Sequence, residues 1–321
     1  MKYLYSYKDI VLSPSISSLR SRRLAYCKPC FLGKTFNSVA IPANMSDIIS
    51  YELAEKLSEL GYFYILHRFY PREDILHWLS INQKLQTISI SVGIKPEDYE
   101  FIDKVVKYNL KVHFITIDVA HGHHTAVQDL IGFIKHKLPN TKIIAGNVGT
   151  KKAVEDLSSW GAHAAKVGLS MGKSCTTYNC TGVGTPMFST VLNICGGDGF
   201  INQNPIPIIA DGQVREVGDI CKALVAGADL VMIGSEFAKC TDSPAVWIDE
   251  SRNYKWFHGS ASEKVKGGSD FIEGAKVLLP ARKETYTEFL NRIQDGVQSC
   301  ISYSGGDSLF DLKSMEYSVH Y

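Results

Sequence analysis

The sequence predicts an α/β fold, a TIM (β/α)8 barrel. Three observations point there. Eight short runs are rich in Val and Ile, most of them are apolar at successive positions, and their starts recur at intervals of about 20–30 residues. Continuous apolar runs suit parallel strands covered on both faces, whereas alternation marks a sheet with one wet face. The interval is that of strand, loop, helix and return. A doubly wound open sheet shares these features and stands as the alternative, because periodicity does not show closure.

In chain order the expected strands lie at 39–43, 62–66, 87–92, 112–117, 142–147, 164–168, 207–211 and 230–234. Helices are expected between them at 49–60, 75–84, 96–108, 125–138, 151–160, 187–194 and 216–226, with a last one at 286–299. One interval departs from the rest: the sixth and seventh runs start about 43 residues apart, enclosing Gly168-Leu169-Ser170-Met171-Gly172-Lys173-Ser174-Cys175-Thr176-Thr177. In a barrel that insertion follows the carboxyl end of a strand, the face where catalytic loops gather. No comparable insertion makes room for a second domain. Residues 1–321 are therefore expected to form one catalytic barrel domain, with 1–38 as an N-terminal capping arm, 235–321 as last loop, final helix and tail, and about 260–275 as an active-site flap.

Composition narrows the function. Of 321 residues, 34 are basic and 33 acidic, and the hydrophobic and charged fractions of 45% and 21% are those of an ordinary folded chain. Near-neutral charge lacks the footprint of a non-specific nucleic-acid binder but leaves room for a local pocket that holds a phosphorylated small molecule. No apolar run approaches the roughly 20 residues that cross a bilayer, and Met1–Asp9 lacks a signal-peptide core, so no membrane role and a cytoplasmic location are expected. The eight cysteines, at 27, 30, 175, 180, 195, 221, 240 and 300, are too irregular for a disulfide framework. Cys27 and Cys30 have the gap of half a zinc or redox motif, without a second half.

Cys175 is the strongest nucleophile candidate. It lies in a Gly/Ser/Thr-rich loop with backbone donors close by and Lys173 near enough in sequence to stabilise a thiolate; the alternative is an inert thiol, the reading given to the other cysteines. Thr176 and Thr177 can orient water or hold a phosphate, and Gly182-Val183-Gly184 can turn amides toward a ligand. The spacing of Gly168 and Gly172 is not that of a Walker motif, which argues against a P-loop enzyme. Asp118 and Asp211 stand at strand ends, where an acid reaches a ligand without charging the barrel core. Asp211-Gly212 suits a sugar diol, and Gly234-Ser235, Gly259-Ser260 and Ser174 together offer neutral donors to phosphate oxygens, unless they are unrelated turns. His121, His123 and His124 lack the matched carboxylate spacing of a metal hydrolase, so no metal site is expected. Glu273-Gly274 follows a polar, glycine-rich stretch and could be carried into a closed site by a flap.

These residues sit in motifs that resemble the family of GMP reductases and IMP dehydrogenases over nearly the whole chain. The motifs are Tyr7-Lys8-Asp9-Ile10, Pro42-Ala43-Asn44-Met45, Leu66-His67-Arg68-Phe69, Ile117-Asp118-Val119-Ala120-His121-Gly122-His123, Ala145-Gly146-Asn147-Val148, the Cys175 loop, Ala210-Asp211-Gly212, Met232-Ile233-Gly234-Ser235 and Ile301-Ser302-Tyr303-Ser304-Gly305-Gly306. The resemblance implies a TIM barrel, a homotetramer, a purine monophosphate above the barrel and a nicotinamide cofactor beside it. It implies that Cys175 attacks C2 of the purine while Thr177 and Glu273 handle protons as the amine departs. Asp211 would hold the ribose, with Ser174, Gly212, Gly234 and Ser235 around the phosphate and Gly259 and Ser260 near it. Asn147 would face the base, and Asp118, His121 and Thr176 the cofactor.

Within the family, the resemblance implies NADPH-dependent reductive deamination of GMP to IMP and ammonia. An IMP dehydrogenase-like oxidoreductase and a catalytically weakened purine-nucleotide-binding protein are the alternatives. The reductase is favoured because no insertion could hold the paired regulatory domains common in the dehydrogenases, and because 260–273 is too short for their flap with its arginine-tyrosine pair. Departures from the family pattern are Ser170-Met171 where glycine-proline is usual, Tyr178 where a basic or otherwise polar residue is common, Gln213 where a glycine follows Asp211-Gly212, and the altered tract 195–205. Gln213 adds bulk where the backbone must approach phosphate, and Ser170 restricts the Cys175 loop if its dihedrals require a glycine, so Ser170, Met171 and Gln213 are the departures that bear most on substrate and activity.

Overall fold

A computed structural model describes residues 4–170, 172–196, 205–259 and 274–320. Its centre is one parallel sheet of seven strands: β1 (Ala40–Pro42), β2 (Ser89–Val92), β3 (Phe114–Asp118), β4 (Lys142–Val148), β5 (Ala164–Val167), β6 (Ile208–Asp211) and β7 (Leu230–Ile233). Pairing runs β2-β3-β4-β5-β6-β7-β1, so the first strand closes back onto the last. Burial explains the unbroken apolar runs: Ile115, Ile117, Ile143, Ile144, Val167, Ile208, Ile209 and Val231 are all fully buried, because helices cover one face and the barrel interior fills the other.

Between β1 and β2 the expected strand at 62–66 does not form a ladder. Leu66 makes a single parallel bridge to Ile90, its N–H donates to Ser89 O at 3.0 Å, and Ser91 Oγ donates to Leu66 O at 2.7 Å. The segment is buried as a strand would be, so composition alone reads it correctly as the eighth barrel stave and incorrectly as regular strand. The fold is α/β, in keeping with the expectation.

The helices fall close to their expected places: Tyr51–Glu59, Arg72–Ile81, Pro96–Lys107, Thr125–Lys137, Lys151–Trp160, Met187–Cys195, Val217–Val225 and Tyr286–Tyr303. Their ends have local causes. Ser50 and Thr150 accept the N–H groups of Leu53 and Ala153, Pro96 occupies the first turn of its helix, and Gly161 takes the left-handed conformation that ends Lys151–Trp160. The second helix starts three residues before the expected 75 because Pro71 fixes the entry and Glu73 and Asp74 fill the positive first turn.

Residues 235–321 hold more structure than a loop, helix and tail. Val246–Trp247, Tyr254–His258 and Lys276–Pro280 form a three-stranded antiparallel sheet. The terminal segments also pair: Ile10–Leu12 runs antiparallel to Tyr317–Val319. The arm lies across two helices, since Tyr5 exchanges hydrogen bonds with Ser189 (2.7 and 3.1 Å) and Lys222 Nζ donates to Tyr7 O at 2.8 Å.

Candidate functional site

The carboxyl ends of β3, β4, β5 and β6 carry a connected set of charged and polar groups. Lys166, on β5 and only 4% exposed, places Nζ 2.9 Å from Asp118 Oδ1 and 3.1 Å from Asp211 Oδ2. Asn147, at the end of β4, donates through Nδ2 to the same Asp211 oxygen at 2.8 Å and to Gly168 O at 2.7 Å. Arg68 Nε lies 3.8 Å from Asp118 Oδ2. One buried ammonium therefore joins the two strand-end acids singled out in the sequence.

Electrostatics keep Asp118 and Lys166 ionised. Burial works to raise the Asp118 pKa, but Lys166 and Arg68, with hydrogen bonds from Lys166 and Asn44, hold the carboxyl below the usual range. Burial likewise works to lower the Lys166 pKa, and Asp118 and Asp211 more than offset it, so the ammonium stays charged. Removing one member would strand a buried charge.

The nucleophile candidate sits on the insertion after β5. Its neck is closed by Leu169 N donating to Thr185 Oγ1 at 2.7 Å and Thr185 N donating to Leu169 O at 3.2 Å. At its tip Cys175 Sγ donates to Thr177 Oγ1 at 3.3 Å, so two of the three predicted catalytic groups are in contact. Thr176 is the N-cap residue of the short helix Thr177–Thr181, which the sequence reading missed. Lys173 is exposed, and the described partners of Cys175 are Gly172, Thr177 and Gly274. Gly172-Lys173-Ser174 does carry the glycine-lysine-serine ending of a phosphate-cradling P-loop, but Gly168 stands one residue too close and only a five-residue helix follows.

Gly274 and Ala275 thread between this loop and the small sheet. Gly274 bridges Cys175, Ala275 N donates to Ser174 O at 2.7 Å, and Gly259 N donates to Ala275 O at 3.2 Å. Ser174 and Gly259 are adjacent: a Cβ on Gly259 would lie 3.0 Å from Ser174 O. Gly234 precedes the one-turn helix Ser235–Ala238, with Phe257 and Ile48 side chains about its Cα. The four phosphate candidates Ser174, Gly234, Ser235 and Gly259 thus stand on neighbouring loops, and Gly212 follows Asp211 on the next strand end. Ser260, Glu273 and most of the expected flap lie outside the described residues.

The histidines divide. His124 caps the helix Thr125–Lys137 by accepting Ala126 N at 3.0 Å, and His123 pairs with Asp156 at 2.9 Å. His121 is exposed, with its ring 6.4 Å from His123 and no described contact to the charged set.

Both departures from the expected glycine pattern fall where the backbone is left-handed: Ser170 has φ +64° and Gln213 φ +61°. Such a conformation costs a non-glycine residue about 1–2 kcal/mol. The glycine at Gly168 is needed for a second reason, close approach: a Cβ there would lie 1.9 Å from Asp211 O.

Sequence reasoning missed Lys166, Asn44 and the Asp47–His258 pair, in which His258 N and Nδ1 lie 2.7 and 2.8 Å from Asp47 Oδ2. Lys166 left a signal, a lone lysine in the otherwise apolar run Ala164–Val167. Asn44 and Arg68 lie in motifs that carry the resemblance, but nothing beside them in the sequence marks Asp118 as their partner. Nothing local marks Asp47, 211 positions from its partner.

Comparison with known proteins agrees with the motifs. The family described as "IMP dehydrogenase / GMP reductase domain" matches residues 4–319. Similar curated proteins include the GMP reductase of Ligilactobacillus salivarius, 41% identical over 98% of this chain and 96% of that protein. The GMP reductase of Bacillus licheniformis is 40% identical over 99% of this chain and 97% of its own length, and that of Delftia acidovorans 39% over 98% and 96%.

Proposed function

The chain belongs to the IMP dehydrogenase/GMP reductase family, and from that premise we propose that it is a GMP reductase, converting GMP to IMP and ammonia with NADPH as the electron donor. The observation that carries the reading is the contact between Cys175 and Thr177, a thiol with a proton partner on the loop that follows β5, the strand whose Lys166 pairs with Asp118 and Asp211.

In this reading the Cys175 sulfur adds to C2 of the purine as the thiol proton passes to a neighbouring base. Collapse of the adduct expels the exocyclic amine as ammonia and leaves a thioimidate. Thr177 and Glu273 supply and remove the protons; Glu273 immediately precedes Gly274, the residue that pairs with Cys175. A nicotinamide cofactor, when bound, would supply the hydride that C2 accepts. The thiolate then leaves as IMP forms, since sulfur is both a good nucleophile and a good leaving group.

Asp211 accepts the ribose hydroxyls, kept in place by Lys166 and Asn147. Ser174, Gly212, Gly234, Ser235, Gly259 and Ser260 donate to the phosphate, and Asn147 faces the base. Asp118, His121 and Thr176 would hold the cofactor, whose fit is supported by Arg68 Nε: a buried donor without a hydrogen-bond partner among the described residues, suited to an amide or phosphate oxygen. We take the working enzyme to be a cytoplasmic homotetramer. Among the described residues no helix is long and apolar enough to cross a membrane.

A matrix of GMP and IMP against NADPH, NADH, NADP⁺ and NAD⁺ tests the reading. GMP-dependent oxidation of NADPH with IMP formation is expected. Sustained NAD⁺ reduction on IMP would assign the chain to the dehydrogenase branch, and tight GMP binding without turnover to a binding protein.

A further inference from the structure

Gln213 stands in a left-handed backbone position where the family pattern has glycine, and its side chain is engaged. Its Oε1 accepts the N–H of Met187, the first residue of the helix Met187–Cys195, at 3.0 Å. That N–H is one of the four at a helix start with no partner inside the helix. Met187 in turn leans on the neck of the nucleophile loop. Its sulfur accepts from Thr185 Oγ1 at 3.7 Å and would lie 3.1 Å from a Cβ on Gly168. Thr185 closes that neck against Leu169.

A continuous chain of contacts therefore runs from Gln213 through Met187 and Thr185 to Leu169, six residues before Cys175. At its other end Gln213 is two residues from Asp211. We propose that Gln213 is a positioning residue that ties the Cys175 loop to the strand end bearing Asp211, fixing the distance between the thiol and the ribose anchor. The inference rests on the proposed reductase reading, in which one nucleotide must touch both ends at once.

Magnitudes favour positioning over stability. The left-handed strain of a non-glycine residue and the net gain from one hydrogen bond are comparable and opposite. Replacing Gln213 by glycine should thus change folding stability little, while misplacing a nucleophile by a fraction of an ångström costs rate steeply.

The test compares Gln213→Gly, Gln213→Leu and Gln213→Glu by GMP affinity, single-turnover rate with saturating GMP and NADPH, and site-resolved alkylation of Cys175 by iodoacetamide without nucleotide. For Gln213→Gly the expected results are a melting temperature close to wild type, GMP affinity within about twofold, a single-turnover rate about tenfold lower, and faster Cys175 alkylation. Gln213→Leu, with bulk but no acceptor, should match glycine in rate. Gln213→Glu keeps the acceptor for Met187 N–H and should restore alkylation to the wild-type rate. A glycine variant with wild-type rate and alkylation, or a leucine variant as fast as wild type, overturns the proposal. If the wild-type protein turns over no GMP, the reductase reading fails, whereas the alkylation comparison still decides whether Gln213 holds the loop.

Discussion

Lys166 carries the largest electrostatic burden of any single residue in the site. It is almost wholly buried and spans carboxylates that come from strands on either side of it in the barrel, Asp118 on β3 and Asp211 on β6. Lys166→Met leaves Asp211 without its cation and Asp118 with only the more distant Arg68. Breaking one side of a buried charge network typically costs about 3–5 kcal/mol. A urea titration at pH 7 should show a loss of that size, with GMP binding weakened as Asp211 loses its support; an unchanged midpoint would contradict it. Cys175→Ala should behave oppositely, binding GMP normally and forming no IMP, and normal turnover by that variant would end the covalent mechanism. Cys175, Asp118 and Asp211 were legible because reactive side chains in loops and acids at strand ends have few structural reasons to be there. Lys166 was not, because its meaning depends on which strands the barrel sets side by side. Ser170 and Gln213 were legible as departures, and their left-handed backbone gives the departures a physical content.

At the level of elements, the strand ends are fastened by histidines held neutral. Nδ1 of His113 accepts Ile88 N at 2.9 Å, Nδ1 of His163 accepts Ile143 N at 3.0 Å, and Nδ1 of His67 accepts Phe69 N at 3.1 Å. A ring nitrogen that accepts cannot also be protonated. Burial pulls the pKa values of His67 and His113 down to about 4, and lowers that of His163. Between pH 4 and the ordinary histidine value near 6.5 the unfolded chain therefore binds more protons than the folded one. Stability is complete above pH 6.5 and is lost as pH falls through this window, by up to about 3 kcal/mol for His67 alone. Urea midpoints at pH 7 and 4.5 should differ accordingly. His113→Gln, whose side-chain oxygen can take the Ile88 amide, should reduce the difference; an identical pH slope would contradict the assignment.

Element positions were read well where apolar periodicity was strong, as in Lys151–Trp160, and poorly where pairing was distant. The partners in the small sheet are Tyr254 with Pro280 and His258 with Lys276, and no local pattern announces them. The 62–66 segment failed in the other direction, since it has a strand's composition and burial but only one ladder contact.

The whole molecule joins its two ends. The arm strand Ile10–Leu12 pairs with Tyr317–Val319, and its Ile10 and the preceding Tyr7 are each 1% exposed. Burying the Ile10 side chain alone stabilises by about 1.5–3 kcal/mol. Deleting residues 1–12 should therefore lower the melting temperature by several degrees, and an unchanged melt would show the arm to be dispensable. The near-neutral charge that argued for a small anionic ligand is consistent with a site built from neutral donors and one internally balanced charge set. Barrel architecture was predictable because its repeat is local in sequence; the joining of the termini was not, because it brings together segments about 300 residues apart.

In the proposed reaction hydride replaces the amino group at C2 through a thiol adduct. GMP labelled with ¹⁵N on its exocyclic amine and NADPH carrying two deuteriums at C4 test it together, with products read by mass spectrometry. The expected products are IMP with one deuterium at C2 and an equal amount of ¹⁵N ammonia, with neither formed by Cys175→Ala. IMP without deuterium, or GMP recovered with its label intact under conditions where it binds, would contradict it.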